Sequence, residues 1–586
     1  MKCLSQSLLF FLFATASLLV LASCDSESTG ANRTLEVRAD GVDELLGHEP
    51  GSRLHLEKED RDALLVLLKG VWPSNRPLRF ELARVVDADV FVPQREYEGD
   101  PHWISRAQVL SESGEVLWSQ RINTLFQLLQ FLNVILEDQS AVNLTVRQVA
   151  GLVETLYPEL LEFAVKVPTG IPGGHTYRIE LAEEPGAWQE VFSAKIDELV
   201  AQAEPSTIQA EVEDLVVTGP DEDRLTIVIL GDGYRESERG RFEAHAQAVA
   251  SRFLEASPMR EHADLFNIRA IWTPSNDSGA GYDCNFQGAP PNCRQGFRDT
   301  FFDTAFVIPA LMDRFNLQLG DVSDRVAMPI QIGKVFETAA LGSYDDIVLI
   351  SNSGKRAGFA GLYISLVTAF DSGTNFPDVA VHELGHSLGL LGDEYTVPGD
   401  SCYYNEPTIP LPANIGIIEE ESVKWMDWLL ENTPIPTPAN LALEHPVGAY
   451  QGAYNCDFLV RPSHRCKMNS SRDDFCPVCA EQMVRRFYAF VAPPVNEGLD
   501  ILRFSNELLR IRVPLRDEER YEVRWLIGGE EFHQGSTYSF GAAQLTRFES
   551  DQWVPVEVVV RNKTDFIRTP DNAIESTYRF EVRLRD

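Results

Sequence analysis

The chain has 586 residues, 44% of them hydrophobic and 24% charged, which is enough apolar material for about three or four folded domains. It carries 88 acidic and 51 basic residues, a formal net charge of −37. A surface this acidic repels nucleic acid and anionic membranes, so we expect no nucleic-acid partner and no direct membrane binding. Such a surface also makes Ca²⁺ a candidate ligand, although the sequence contains no EF-hand-like loop.

The first residues have the pattern of an export signal. Lys2 is followed by an apolar run at 8–21, which is too short to span a bilayer as a stable anchor. The run ends in Leu-Ala-Ser-Cys at 21–24, which resembles the lipobox of bacterial lipoproteins. The resemblance implies removal of 1–23, lipidation of Cys24 and a location in the cell envelope or at the cell surface, with the lipid as the only membrane contact. The alternative is ordinary signal cleavage and secretion.

The flanking regions are predicted to be rich in strands. After a polar tether at 24–34, residues 35–215 form an accessory domain, in which 79–91 alternates as a strand and 124–137 has the apolar spacing of a core helix. Residues 496–586 contain alternating strands separated by turns, which predicts a β-sandwich. The first region carries no catalytic motif, and the second is predicted to be a packing or binding appendage.

Between them, residues 216–495 are predicted to form an α/β domain. Continuous apolar runs at 225–230 and 346–351 are typical of buried strands, and segments of helical character lie between them. Asp232 follows the first of these strands, where an acid either caps the next helix or binds a metal or substrate.

A long segment rich in Pro and Asn, at 398–454, is predicted to build substrate specificity. It contains a short predicted helix at 423–430. Several of its aromatic side chains either line a cleft or pack in the core: Trp425, Trp428, Tyr450 and Tyr454.

The strongest motif is His-Glu-x-x-His at 382–386. Histidines four residues apart project from one face of a helix, so His382 and His386 can bind one Zn²⁺ from the same side. Glu383 lies next to the first histidine and can act as a general base toward water without binding the metal.

The chain after this helix is predicted to return to the metal. Gly389 lets the chain leave a helix in a conformation that most residues resist. A sharp turn there would bring Asp393 or Glu394 back toward the histidines as a third ligand, and no histidine lies between 386 and 445 to compete. The site is therefore expected to contain two histidines and a carboxylate, with an open position for water.

These residues resemble the signature of a known family. His-Glu-x-Gly-His at 382–386, followed by Leu-Gly-Asp-Glu-Tyr at 391–395, is similar to the signature of the IgA-peptidase family of zinc metallopeptidases, metallopeptidase family 64, a metzincin-like group. The similar region spans 225–490. Three shorter stretches fit the same family: 229–234, 466–468 and 475–479.

The resemblance implies an α/β metzincin-like zinc peptidase module flanked by the N-terminal β-rich domain and the C-terminal β-sandwich. It implies hydrolysis of peptide bonds in a protein or glycoprotein substrate, by a zinc-activated water with Glu383 as general base. In such enzymes a methionine in a tight turn lies beneath the metal, a role that falls to Met468. An edge strand, here within 356–370, pairs with the substrate.

The resemblance also bears on the third ligand. The common metzincin pattern has a histidine at the position of Gly392, which offers no ligand atom. The shorter reach from the turn and the existence of metzincins with an aspartate ligand favour Asp393 over Glu394. The Glu394 side chain would then hydrogen-bond a ligand histidine or pack near Tyr395.

The cysteines outside the signal all lie in the central region: Cys284, Cys293, Cys402, Cys456, Cys466, Cys476 and Cys479. In an exported protein they are first interpreted as disulfides. The first two flank a Pro-Pro loop and are predicted to pair, and the other five make at most two pairs. A structural zinc site is the alternative for His464, Cys466, Cys476 and Cys479, but export and the resemblance of Cys-Pro-Val-Cys at 476–479 favour disulfides.

Two other functions are compatible with the sequence. One is a catalytically silent surface binding lipoprotein that keeps the fold. The intact Glu383 argues against it, because a binding protein needs no general base. The other is a zinc amidohydrolase that acts on substrates other than proteins.

Overall fold

The computed structural model describes most of the chain from residue 34 onward. The described residues are 34–39, 50–51, 53–56, 62–72, 78–93, 105–124, 145–171, 174–182, 187–284, 296–306, 326–370, 375–396, 402, 411–418, 422–491, 499–515, 518–549, 551–568 and 574–585. The signal peptide, Cys24, the tether up to residue 33 and all but the first residue of the predicted helix at 124–137 lie outside them.

Strands dominate the secondary structure. The strands of the first part are β1 (Thr34–Ala39), β2 (Arg53–Leu56), β3 (Asp62–Val71), β4 (Arg79–Phe91), β5 (Ser105–Leu110), β6 (Val116–Arg121), β7 (Glu162–Pro168), β8 (Thr176–Ala182), β9 (Trp188–Lys195), β10 (Glu204–Pro205) and β11 (Glu211–Val216). The central strands are β12 (Leu225–Asp232), β13 (Phe266–Trp272), β14 (Ala305–Phe306), β15 (Ala327–Met328), β16 (Asp346–Ser351), β17 (Gly358–Gly361), β18 (Ile364–Thr368), β19 (Gly416–Ile417), β20 (Tyr450–Ala453) and β21 (Cys456–Arg461). The last strands are β22 (Leu499–Ser505), β23 (Leu508–Arg512), β24 (Tyr521–Ile527), β25 (Glu530–Gln534), β26 (Thr537–Gly541), β27 (Val554–Asn562) and β28 (Glu575–Arg585).

The α-helices among the described residues are α1 (Val146–Leu156), α2 (Ile196–Val200), α3 (Arg239–Glu255), α4 (Ile332–Ala340), α5 (Phe376–Ser387) and α6 (Pro477–Phe490). Short 3₁₀ turns lie at Pro158–Leu161, Asp221–Asp223, Glu236–Glu238, Arg260–Leu265, Met426–Trp428, Ala439–Leu441, Glu518–Arg520 and Ala542–Leu545. In the described part of the chain, no helix combines the length and the apolar character that crossing a membrane requires.

The central sheet has the order β11-β13-β12-β16-β18-β17 within the described residues. Its inner strands β13, β12, β16 and β18 run parallel, while β11 and β17 are antiparallel to their neighbours at the two ends. The apolar runs predicted as buried strands are β12 and β16, and every residue of both is buried. Helical crossovers cover both faces of parallel strands, which explains the continuous apolar runs.

Alternate residues of the central strands face two different cores. Ile227 and Ile229 pack with helices α3, α5 and α6 on one face. Val228 and Leu230 pack with α4 on the other face, in a core that continues into the N-terminal strands. Helix α5, which carries the His-Glu-x-x-His motif, therefore lies on the face opposite α4.

The N-terminal part contains two further sheets, with the orders β10-β4-β3-β7 and β6-β5-β8-β9 among the described residues. Ion pairs connect this part to the central domain: Arg84 binds Glu337 at 2.9 Å, and Lys166 binds Asp345 at 3.1 Å. Because the hydrophobic core is continuous as well, the N-terminal strands pack directly against the central domain.

The C-terminal strands form two sheets around a core of their own. Their orders are β1-β28-β27-β24-β25 and β2-β22-β23-β26 within the described residues. The predicted boundary at residue 35 places β1 and β2 in the N-terminal domain, but both pair with C-terminal strands: Thr34 lies opposite Arg585, and Arg53 opposite Leu502. A strand joins whichever sheet edge fits its pattern, so local sequence cannot assign it to a sheet. The described residues thus form a strand-rich, mixed α/β protein.

Candidate metal centre

Helix α5 positions the two motif histidines. It begins with Pro377 in its first turn and ends at Ser387. The left-handed residue after the helix is Leu390, with φ of 55°, and not Gly389 as the sequence predicts. Gly389 is required for another reason: a Cβ atom there would lie 2.3 Å from the sulfur of Met483 on α6. The turn is closed by the Leu390 N–H, which donates to the His386 carbonyl at 3.1 Å.

The chain then runs past the helix in a strand-like segment. The N–H of Tyr454 donates to the carbonyl of Asp393 at 3.2 Å, and the N–H of Glu394 donates to the carbonyl of Met468 at 2.9 Å. Successive side chains of an extended segment point to opposite sides. Asp393 and Tyr395 accordingly lie on the histidine side, where the Tyr395 ring is 6.4 Å from that of His382, and Glu394 lies on the other side.

Three of the predicted ligands converge. The Nε2 atoms of His382 and His386 each lie 3.2 Å from Oδ1 of Asp393. Their ligand atoms all lie within 4.8 Å of one another, so the three residues can hold one metal ion. The side chains of His382, His386 and Asp393 are 11%, 19% and 14% exposed, which leaves the group accessible from solvent.

Backbone carbonyls fix the orientation of both imidazoles. Nδ1 of His382 donates to the carbonyl of Lys467 at 2.9 Å, and Nδ1 of His386 donates to the carbonyl of Leu391 at 2.7 Å. A carbonyl only accepts, so each Nδ1 carries a proton, and the neutral form of each ring has its lone pair on Nε2. Two lone pairs facing one carboxylate oxygen repel it unless a cation lies between them.

Without a metal ion, a proton on the imidazole can supply the positive charge that this geometry requires. Burial by itself would lower the pKa of His386, but the carboxylate of Asp393 raises it to about 9. Burial would likewise raise the pKa of Asp393, but the imidazoles of His386 and His382 lower it. Both shifts favour positive charge beside the carboxylate, which a metal ion would supply.

Glu383 lies beside this group and packs on the edge strand β17. A Cβ atom built on Gly358 would lie 2.1 Å from Oε1 of Glu383, so the carboxylate rests directly on the strand backbone. Burial raises the pKa of Glu383. The side chain is therefore held in a water-poor position next to the two histidines.

Met468 lies beneath the helix. Its side chain is fully buried, and a Cβ atom on Gly385 would lie 2.5 Å from its sulfur. The preceding residue, Lys467, provides the carbonyl that orients His382. The turn around Met468 therefore supports the metal group from the side of α5 that faces away from solvent.

Glu394, the alternative third ligand, does not join the histidines. It is fully buried among Cys466, Cys476 and Cys479, and its Oε1 accepts hydrogen bonds from Cys479 Sγ at 3.0 Å and from Asn414 Nδ2 at 2.9 Å. Burial raises its pKa well above the ordinary value. The Asn414 side chain also forms hydrogen bonds with both the N–H and the carbonyl of Gly392. The sequence gives no signal for this positioning role.

A comparison with known families bears on these residues. Residues 213–443 match the family model described as IgA Peptidase M64. The central part of the chain resembles this family. The match confirms the predicted resemblance and supports a metallopeptidase in general. It includes both motif histidines, Glu383 and Asp393, and it ends before Met468. No curated protein matches the chain.

The cysteines of the central domain correct one prediction. Cys402 and Cys456 form a disulfide, and Cys284 is also disulfide-bonded, while its predicted partner Cys293 lies outside the described residues. Cys466, Cys476 and Cys479 were predicted to contribute to disulfides, but all three are buried thiols. His464 does not join them; its ring packs against that of Tyr450, with 4.3 Å between the ring centroids.

Other candidate residues of the central domain have structural roles. Asp232 neither caps a helix nor approaches the histidines. Its buried carboxylate holds the loop after residue 299, accepting from Thr300 Oγ1 at 2.8 Å and from the N–H of Phe302 at 3.0 Å. The predicted helix at 423–430 is only the 3₁₀ turn Met426–Trp428. Trp425 is buried and donates to the Gly448 carbonyl, so it belongs to the core and not to a cleft.

Proposed function

We propose that the protein is an exported zinc metallopeptidase whose metal is bound by His382, His386 and Asp393. The observation that carries the proposal is the convergence of two Nε2 atoms, each at 3.2 Å, on one carboxylate oxygen. Around a tetrahedral Zn²⁺ with bonds of about 2.0–2.1 Å, neighbouring ligand atoms lie about 3.3 Å apart. Two imidazoles and a carboxylate are a donor set that catalytic zinc accepts, and three protein ligands leave one position open.

Zn²⁺ at this position would supply a Lewis acid that lowers the pKa of a water ligand to about 7 and polarises the scissile carbonyl. Glu383 is placed to accept the proton of the attacking water and to return it to the leaving amine. The burial that raises its pKa brings its basicity closer to that needed near neutral pH. The two carbonyl hydrogen bonds keep the imidazoles in the tautomer that exposes Nε2.

The edge strand supports a polypeptide substrate over a small amide. β17 is the last strand of the central sheet among the described residues, and Glu383 rests on its Gly358. An extended peptide that adds to this edge forms main-chain hydrogen bonds with it, which suits a protein substrate of any local sequence. Such a peptide would pass directly beside the proposed base.

The test is cleavage of a mixed protein pool. We expect the purified protein to create new internal N-termini, identified by mass spectrometry, and expect 1,10-phenanthroline to abolish them and added Zn²⁺ to restore them. Cleavage that persists after complete metal removal would contradict the proposal. Hydrolysis confined to small amides would favour the amidohydrolase, and no hydrolysis of either kind would favour the binding lipoprotein.

We also propose that Cys24 carries the lipid anchor, on the pattern Leu-Ala-Ser-Cys at 21–24. The wild-type protein should then partition with membranes and into detergent, and Cys24→Ser should be released or left unprocessed. Cys3→Ser is the matched control, since it changes a cysteine within the signal and should not alter partitioning. A wild-type protein that is wholly soluble and begins after a different residue would rule out the anchor.

A further inference from the structure

A second group of metal-ligand side chains lies behind the first. Glu394, Cys466, Cys476 and Cys479 each place one ligand atom within 4.8 Å of all the others. All four side chains are buried, and Glu394, Cys466 and Cys479 have no exposed surface at all. The family match ends at residue 443, so it assigns no role to the three cysteines.

The three sulfurs come from two local structures that commonly present thiolates. Cys476 is the N-cap of α6 and Cys479 lies in its first turn, where the partial positive charge of the helix N-terminus favours a thiolate. Cys466 lies in the turn before Met468, and the N–H of Cys476 donates to its sulfur at 3.4 Å. The fold thus brings the two sulfurs of Cys-x-x-Cys close to the sulfur of a third cysteine.

These three cysteines are thiols, whereas other cysteines of the same domain form disulfides. Cys402 and Cys456 are joined, whereas Cys466, Cys476 and Cys479 remain thiols. Three cysteines cannot all be satisfied by disulfides among themselves. In an oxidising compartment, metal coordination is the chemistry that keeps such a trio from oxidation.

Glu394 is the independent observation that points to a cation. Its Oε1 accepts from Cys479 and Asn414, but Oε2 is buried without a hydrogen-bond partner among the described residues. A fully buried carboxylate with an unsatisfied oxygen is costly unless it is compensated by a positive charge. The guanidinium of Arg461 donates to the backbone carbonyl of Glu394 and not to its side chain.

We propose that Glu394, Cys466, Cys476 and Cys479 bind a structural Zn²⁺, distinct from the centre at His382. Four protein ligands close a tetrahedral site, which leaves no position for water and hence no catalytic role. With Zn–S bonds of about 2.3 Å, the sulfurs of such a site lie about 3.8 Å apart, within the observed spread. Three thiolates also select zinc over Ca²⁺, which requires oxygen ligands.

This site would position a ligand of the other one. Asp393 and Glu394 are adjacent, and their side chains point into the two metal groups from opposite sides of one extended segment. Binding of Glu394 to zinc would fix the backbone from which Asp393 reaches the histidines. Cys466 would fix the turn whose Lys467 carbonyl orients His382.

The test removes the histidine centre by mutation and measures the zinc that the protein still binds. The full chain with His382→Ala and His386→Ala, purified without reductant and loaded with Zn²⁺ alone, should retain about one zinc per chain after dialysis. X-ray absorption should show sulfur ligands at about 2.3 Å. The three thiols should resist iodoacetamide until a chelator is added. Because the histidine centre is absent, this result does not depend on the proposed peptidase activity.

Two further variants in this background test the ligand set. Glu394→Gln keeps the shape of the side chain and should reduce the zinc content to near zero. His464→Ala, which changes a nearby ligand-type residue outside the cluster, should retain the zinc. The proposal is overturned by a zinc-free protein with three alkylated thiols, by a disulfide between any two of them, or by zinc loss in the His464 variant alone. If Glu394→Gln fails to fold, the X-ray absorption of the variant that lacks only the two histidines still shows whether zinc is bound by sulfur.

Discussion

Replacing Glu383 with glutamine is expected to leave zinc bound and to lower kcat by a factor on the order of 10²–10⁴. The amide keeps the side chain that packs on Gly358, but it has no basicity toward water. Because proton transfer develops only in the transition state, KM should change much less than kcat. Steady-state kinetics on a peptide taken from the cleavage experiment, with zinc content measured in parallel, would determine both quantities.

Glu337→Gln is the matched control for this variant. Glu337 is similarly buried, but it lies on α4, on the opposite face of the central sheet, where it binds Arg84 at 2.9 Å. This control should lower stability and leave kcat unchanged. A Glu383→Gln enzyme that turns over at the parent rate with zinc bound would refute the general-base role, and one that loses its zinc would make Glu383 a ligand.

Asp393→Asn and Glu394→Gln are expected to lose different zinc ions. Asparagine is a much weaker zinc ligand than aspartate, so the first variant should lose the metal of the histidine centre, together with peptidase activity, after dialysis. The second should keep the histidine-bound metal and lose the thiolate-bound one. The reason is geometric, because adjacent side chains of an extended segment point in opposite directions.

Substitution of zinc by cobalt shows which of the two metal ions each variant has lost. Co²⁺ bound by thiolates gives an intense charge-transfer absorption, which should persist in Asp393→Asn and disappear in Glu394→Gln. Each variant should therefore hold about one metal ion, in a different place. A Glu394→Gln protein that keeps the thiolate absorption and loses the histidine-bound metal would reverse the assignment of the third ligand. Full metal in both variants would place that ligand elsewhere.

The sequence predicted the part of the site that helix geometry alone determines. Two histidines four residues apart must share a face of α5, and the glutamate beside them must lie nearby. The choice between Asp393 and Glu394 was harder, because it depends on the left-handed Leu390 and on backbone pairing with Tyr454 and Met468. No local pattern specifies that pairing.

The second cluster was less accessible to sequence reasoning for a related reason. Export favours disulfides, and the alternative ligand set paired the cysteines with the neighbouring His464. The residue that joins them in the fold is Glu394, more than seventy positions before Cys466 in the sequence, which had been considered only for the histidine centre. Which ligands meet is decided by tertiary packing, where α6 and the Met468 turn close against the segment after α5.

The pairing of β1 with β28 imposes an order on the assembly of the molecule. Thr34 finds its partner only when Arg585 has been synthesised, so the sandwich cannot close during most of synthesis. Contacts this distant in sequence form slowly, because a long loop must close before they contribute. The central sheet draws its strands from within the chain and can form earlier. A product that lacks β28 would leave β1 and β27 with open edges, which promote aggregation.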